Sequence, residues 1–350
     1  MDCFPMKEKD NYNWKDSKVC IQDNWKTKNY IGVNKQDDRD VIIVKEININ
    51  KDIFQDREYF YHKLQDINLS FSLRNYEYFP KKISGLISED QKTLYLIINE
   101  NNVSLNILIT SKHFNYLDNK HLIKWIIYQI SFGLYILHTN NIIHHDIKPS
   151  NIVIDEKGRI EIIDFDSAIF KNEQSYQYTL PYSSPEILIG NRVIDEKTDI
   201  WSLGIITLEL YLKRCPILYK KDITNNEEQL YFILEKIYGI KKEKYPNIND
   251  LNNILNNDNS INIQFNIEQK ILEKVDDEDA KLLLNNLLNF DPRKRYTSKE
   301  VLQSNYLKEY LGIDSFDIKP IKFIINNDEI SKNKLDKTYF LELIKRIIHK

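Results

Sequence analysis

Three polar residues that could do chemistry stand within one short stretch, I-I-H-H-D-I-K-P-S-N: Asp146, Lys148 and Asn151. A carboxylate can receive a hydroxyl proton, an ammonium can offset phosphate charge, and an amide can bind a metal ion, so this spacing suits phosphoryl transfer. Pro149 and Ser150 prevent a regular helix here, and the stretch is predicted to be a loop. The alternative interpretation is a polar surface turn that follows a helix and has no chemical role.

Two motifs further along the chain favour the chemical interpretation. Short strands at Ile152–Ile154 and Ile160–Ile163 are predicted to form a hairpin, which delivers the sequence D-F-D at positions 164–166. The segment that follows ends in T-L-P-Y-S-S-P-E, with Glu186 as its last residue. A D-F-D sequence alone would be read as a polar turn, so the argument depends on the order and spacing of all these motifs.

Together these motifs resemble the protein kinase family, whose catalytic loop reads H-R-D-x-K-x-x-N and whose metal site reads D-F-G. The resemblance implies that Asp146 orients and deprotonates the acceptor hydroxyl and that Lys148 binds the γ-phosphate. It implies that Asn151 and Asp164 hold Mg²⁺ and that ATP is the phosphoryl donor. The sequence departs from the pattern at His145, which replaces arginine, and at position 166, where aspartate replaces glycine.

The resemblance also assigns supporting residues. Thr179 falls where Ser/Thr kinases place a threonine that contacts the catalytic aspartate and lysine, which favours serine and threonine as acceptors. Arg295 is expected to form a buried ion pair with Glu186. Asp199, at the start of a strongly apolar helix, is expected to brace the backbone of the catalytic loop.

Lys45 is the candidate nucleotide anchor, because the strand V-I-I-V-K-E-I resembles the V-A-I-K strand whose lysine binds the α- and β-phosphates. Glu58 is predicted to be its ion-pair partner; the alternatives are a solvated lysine and a surface glutamate. The glycine-rich loop of the family is absent, with only Gly32 in that region. The resemblance further implies a nucleotide pocket lined by Ile31, Ile43, Ile98, Asn101 and Val153.

The predicted elements fit this interpretation. Strands are expected at 19–22, 29–34 and 41–47, and helices at 52–67 and 121–138. The resemblance implies an α+β fold class, a bilobal protein-kinase-like fold with a small antiparallel sheet and one helix in the N-lobe and a mostly helical C-lobe. The predicted organisation is an N-terminal arm at 1–17, an N-lobe at 18–101, a C-lobe at 102–312 and a tail at 313–350.

The tail contains an amphipathic run, Leu335–Ile348, in which apolar residues cluster opposite lysines. This pattern predicts a helix that packs back onto the domain; the alternative is a docking or membrane-surface helix.

The composition of the chain limits the classes of partner and the cellular compartment that can be expected. A net charge of −3 over 350 residues gives no electrostatic reason to expect nucleic acid as a partner. Three cysteines without C-x-x-C spacing indicate neither a disulfide framework nor a zinc site, and favour a reducing compartment. No signal peptide or transmembrane segment is recognised. An intracellular location, cytoplasmic or nuclear, is expected, with protein substrates and an unidentified regulatory subunit, if any.

The hypothesis is an ATP-dependent serine/threonine protein kinase, with a weaker resemblance to the cyclin-dependent and MAP kinase group. A pseudokinase that serves as a binding scaffold is the alternative, supported by the missing glycines, Ile43, His145 and Asp166. Retention of Asp146 and its neighbours argues for the enzyme, since a scaffold has no chemical need for them.

Overall fold

The computed structural model describes residues 12–16, 28–34, 41–49, 57–81, 83–88, 90–99, 103–111, 119–171, 173, 178–190, 194–216, 218–256, 265–325 and 337–349. The chain divides into two compact units. The N-terminal unit comprises Met1–Asn102, Ile163–Asp166 and Ile321–Lys350, and the C-terminal unit comprises Val103–Ile162 and Ser167–Pro320.

The strands are β1 Tyr12–Asp16, β2 Lys28–Asn34, β3 Val41–Asn48, β4 Ile83–Ile87, β5 Thr93–Asn99, β6 Val103–Ser104, β7 Ile142–Ile143, β8 Ile152–Ile154, β9 Ile160–Ile162 and β10 Ile169–Phe170. The α-helices are α1 Arg57–Leu73, α2 Leu105–Thr110, α3 Lys120–Thr139, α4 Pro185–Leu188, α5 Lys197–Leu212, α6 Asn226–Tyr238, α7 Ile248–Asn256, α8 Gln269–Leu272, α9 Glu278–Leu287, α10 Ser298–Leu302 and α11 Lys337–Ile348.

The N-terminal unit is built on an antiparallel sheet with the strand order β1-β2-β3-β5-β4. Ile47 and Ile49 are buried together with Leu64, Ile67 and Phe71 of α1. The spacing of three and four residues along α1 makes one apolar stripe, which explains why this segment is helical and which side it buries. The sheet and the helix were predicted. Strand β1 was not, since residues 12–16 were assigned to a loose arm; the strand predicted at 19–22 lies outside the described residues.

The end of the chain completes the core of this unit. Phe340, Ile344 and Ile347 of α11 belong to the same buried cluster as α1 and β5, which confirms that the amphipathic run packs back onto the domain. Gly85 in β4 permits the approach, because a Cβ atom there would clash with Ile348. Glycine is therefore required at this position by close packing.

The C-terminal unit is mainly helical. Helix α5 is buried almost all round, including Trp201, which explains why it lacks a polar face. Helix α3 is capped by Asn119, whose side chain accepts hydrogen bonds from the His121 and Leu122 amides. In the described part of the chain, every helix is too short or too polar to cross a bilayer.

Candidate active site

The predicted catalytic loop lies in the C-terminal unit between β7 and β8, and its centre is the carboxylate of Asp146. Lys148 Nζ donates to Asp146 Oδ2 at 2.6 Å, and Thr179 Oγ1 donates to Oδ1 at 2.6 Å. Asn151 Nδ2 donates to Asp146 Oδ2 at 3.1 Å and to its carbonyl oxygen at 2.9 Å. Three side chains therefore fix one carboxylate, which is the arrangement expected of a group that must meet a reacting hydroxyl at a set angle.

Two of these side chains also contact each other, because Lys148 Nζ donates to Thr179 Oγ1 at 3.1 Å. Asn151 lies in a single 3₁₀ turn, Pro149–Asn151, and is buried. Since its amide nitrogen donates to Asp146, its amide oxygen is the atom that could bind a metal ion. The contacts predicted for Thr179 are confirmed.

The backbone of the loop is fastened by Asp199 from the first turn of α5. Its carboxylate accepts hydrogen bonds from the amides of His144 and His145, each at 2.9 Å, and it contacts His138 Nε2 at 3.0 Å. Burial would raise the pKa of Asp199, but the hydrogen bond and charge of His138 and the His144 amide hold it below its usual value. His145 has φ 62°, a strained conformation that these contacts stabilise.

A buried ion pair supports the segment that contains Thr179. Arg295 Nη1 and Nη2 donate to Glu186 Oε1 and Oε2 at 2.8 and 3.1 Å. The Arg295 side chain is fully buried, and that of Glu186 is 7% exposed. The predicted pair is confirmed.

In the N-terminal unit, Lys45 is surrounded by carboxylates. Its Nζ donates to Asp66 at 2.9 Å, to Asp166 at 3.1 Å and to Asp164 at 3.3 Å. Burial raises the pKa of Asp66 to about 6; Lys45 opposes this rise, and Asp166 and Asp164 add to it. The pKa of Lys45 lies well above its usual value despite burial, because Asp166, Asp66 and Asp164 favour the ammonium. These contacts explain how a charged lysine is accommodated on the buried face of the sheet.

Asp66 is the residue of α1 that pairs with Lys45 in the described part of the chain, whereas Glu58 was the predicted partner. The side chain of Glu58 lies outside the described residues. Asp66 also accepts a hydrogen bond from the Phe165 amide at 3.0 Å, so the same carboxylate holds the segment that carries Asp164. Sequence reasoning missed Asp66, although a charged residue between the apolar Leu64 and Ile67 was a signal for it.

The sheet aligns three of the predicted nucleotide-pocket positions. Ile43 of β3 pairs with Ile31 of β2 on one side and with Ile98 of β5 on the other. Alternation along β3 puts position 43 on the same face as Lys45. The side chains of Ile31, Ile43 and Ile98, and the whole of Asn101, lie outside the described residues. Val153 is buried in β8 of the C-terminal unit, where it pairs with Ser104 and Glu161.

Comparisons with known proteins agree with this geometry. The family described as protein kinase domain matches residues 30–307. The mitogen-activated protein kinase HOG1 of Gibberella zeae is 29% identical over 236 residues, and hog-1 of Neurospora crassa is 30% identical over 230 residues. Each alignment covers 65% of this chain and 62% of the relative. The CTD kinase subunit alpha of Saccharomyces cerevisiae is 30% identical over 236 residues, which cover 65% of this chain and 43% of that protein. The chain thus spans less than two thirds of the length of these relatives.

Proposed function

Because the chain belongs to the protein kinase family, we propose that it transfers the γ-phosphate of ATP to serine or threonine hydroxyls of proteins. The observation that supports this most directly is the Asp146 carboxylate, held by Lys148, Thr179 and Asn151. A binding scaffold would gain nothing from orienting that carboxylate so closely.

In this proposal each residue has a defined task. Asp146 orients the acceptor hydroxyl and receives its proton as the oxygen attacks. Lys148 offsets negative charge on the transferred phosphoryl group. Lys45 binds the α- and β-phosphates. Thr179 holds the side chains of Asp146 and Lys148 in position through its hydroxyl group.

The donor atoms suit magnesium. Asp164 offers a carboxylate that is 39% exposed, and Asn151 offers an amide oxygen; oxygen ligands of this kind are preferred by Mg²⁺. When bound, the ion would neutralise charge on the phosphates.

Serine and threonine are proposed as acceptors because Thr179 makes the contacts expected in Ser/Thr kinases. The similarity to mitogen-activated protein kinases and to a CTD kinase subunit supports the same acceptor class.

Nucleotide binding is tested by thermal unfolding. With MgATP at a hundredfold excess over its Kd, the free energy of unfolding should rise by about 2.7 kcal/mol, and ATP with a chelator should give less. Transfer is tested with radiolabelled ATP and a generic basic protein. Asp146→Asn should abolish transfer while retaining nucleotide binding, and Asp222→Asn, at an exposed position of the same unit, should retain both.

A second candidate, a scaffold without turnover, is favoured by one observation. All three N–H groups of Lys45 have carboxylate partners, which could exclude a phosphate. If the wild-type chain shows no stabilisation by MgATP and no phosphoryl transfer, the kinase is refuted and the scaffold is supported.

A further inference from the structure

The aspartate that replaces glycine in the D-F-D sequence meets two lysines. Asp166 Oδ2 accepts a hydrogen bond from Lys45 Nζ at 3.1 Å and a second from Lys63 Nζ. Lys63 comes from α1, directly before Leu64 and three residues before Asp66, and its side chain is 9% exposed. A lysine so nearly buried needs a negative partner, and Asp166 provides one.

The contact matters because Lys45 has no spare donor. An ammonium carries three N–H groups, and Asp66, Asp164 and Asp166 each accept one. A nucleotide phosphate that binds Lys45 must therefore replace one of these carboxylates.

The three carboxylates differ in how easily they can be replaced. The side chain of Asp66 is 3% exposed, and its carboxylate binds the Phe165 amide as well as Lys45, so two contacts hold it in place. Asp164 is the carboxylate assigned to Mg²⁺. Asp166 has a second cation, Lys63, which can keep it neutralised after it leaves Lys45.

Charge makes the same point. Two lysines and three aspartates leave one negative charge in this cluster; without Lys63 two would remain, beside a site meant for anionic phosphates. The extra aspartate at 166 would then repel the nucleotide and compete with it for Lys45.

We propose that Lys63 is a positioning residue of the nucleotide site: it holds the carboxylate of Asp166, so that the ammonium of Lys45 can bind the nucleotide phosphates. The inference rests on the proposed ATP-dependent function. Asp166 and Lys63 are then a matched pair, and the aspartate is tolerated in place of glycine because the lysine is present.

The test is a double-mutant cycle on the full chain, read out as the Kd for MgATP by calorimetry and as the KM for ATP and kcat. Lys63→Met should raise Kd and KM about tenfold or more, the equivalent of one charged hydrogen bond, while kcat changes less than about threefold. Asp166→Asn alone should not weaken binding, and Asp166→Asn added to Lys63→Met should return Kd to near the wild-type value.

Two further variants separate this role from a merely structural one. Lys63→Arg keeps the charge and should bind MgATP as the wild type does, whereas Lys81→Met removes an exposed lysine of the same unit and should change nothing. The inference is overturned if Lys63→Met binds MgATP as tightly as the wild type, or if Asp166→Asn fails to rescue it. If the wild type itself binds no MgATP, the proposed function fails and the inference fails with it.

Discussion

The ion pair between Arg295 and Glu186 allows a test of how burial determines the contribution of an ion pair to the free energy of unfolding. The arginine is fully buried and uses its guanidinium fully: besides Glu186 it donates to the carbonyl oxygens of Asn289, at 3.0 and 3.1 Å, and of Lys197, at 2.7 Å. It also lies 5.2 Å from the centroid of the Trp201 ring. Removing either partner leaves a charge or several acceptors without compensation inside the C-terminal unit.

The size of the effect follows from these contacts. Breaking a buried pair by removing one partner costs about 3 to 5 kcal/mol. Glu186→Gln should fall at the lower end, because the amide still accepts one hydrogen bond. Arg295→Met should fall at the upper end, because the carbonyls of Asn289 and Lys197 lose their donor as well. The double variant should cost less than the two single costs together, by about 1 to 3 kcal/mol, since neither charge is then left alone.

The assay is urea denaturation followed by far-ultraviolet circular dichroism, which reports mainly on the helical C-terminal unit. Arg159→Met is the matched control: Arg159 pairs with Asp155 at 2.7 Å, but its side chain is 70% exposed, so its loss should cost at most about 1 kcal/mol. If Arg295→Met costs no more than Arg159→Met, the reasoning from burial is refuted.

Three other predictions concern single side chains. Thr179→Val removes the hydroxyl shared by Asp146 and Lys148 and should lower kcat at least about tenfold with little change in stability, whereas Thr179→Ser should retain activity in the same transfer assay. Because the folded-state pKa of Asp199 lies below the unfolded value of about 3.9, its stabilisation is present above that pH and is lost as pH falls through the folded pKa. Asp199→Asn should therefore lower the urea midpoint at pH 7 and flatten its decline as the pH falls below about 4. An unchanged decline would contradict this. Burial raises the pKa of the Cys215 thiol to about 12, so alkylation by iodoacetamide at pH 8, followed by mass spectrometry, should be about a thousandfold slower than for a free thiol. Rapid labelling of the folded chain would be the contrary result.

The catalytic loop could be predicted because its chemistry is local. Asp146, Lys148 and Asn151 lie within six residues, and a loop of that length restricts how their side chains can meet. Thr179 and Asp199 are distant in sequence but occur at fixed places in recognisable motifs, and their contacts were predicted from the family resemblance. The family itself was predicted in the same way and is confirmed by the match.

The partner of Lys45 could not be chosen by the same means. Glu58 and Asp66 are eight residues apart on α1, which is roughly 12 Å along a helix. Periodicity shows which side of a helix is buried, but it does not show which turn lies beside a given strand. That is decided by the packing of Leu64, Ile67 and Phe71 against Ile47 and Ile49, which appears only in the structure.

The tail illustrates a similar limit. Phe340, Leu341, Ile344 and Ile347 were expected to form one apolar face, and all four are buried. Nothing in the tail itself says which surface it covers. The answer lies in β4, where Gly85 leaves room for the end of α11, and a single glycine in a strand does not identify its neighbour.

The departures from the family pattern in the N-terminal unit have to be interpreted as a set. Read one at a time, aspartate in place of the glycine at 166 looks like decay of the nucleotide site, and it supports a scaffold. The structure pairs that aspartate with Lys63 and gives Lys45 a carboxylate from Asp66, so both charged groups have partners on α1. A count of lost motif residues is therefore a poor measure of the nucleotide site, because charge balance is a property of the cluster and not of any one position.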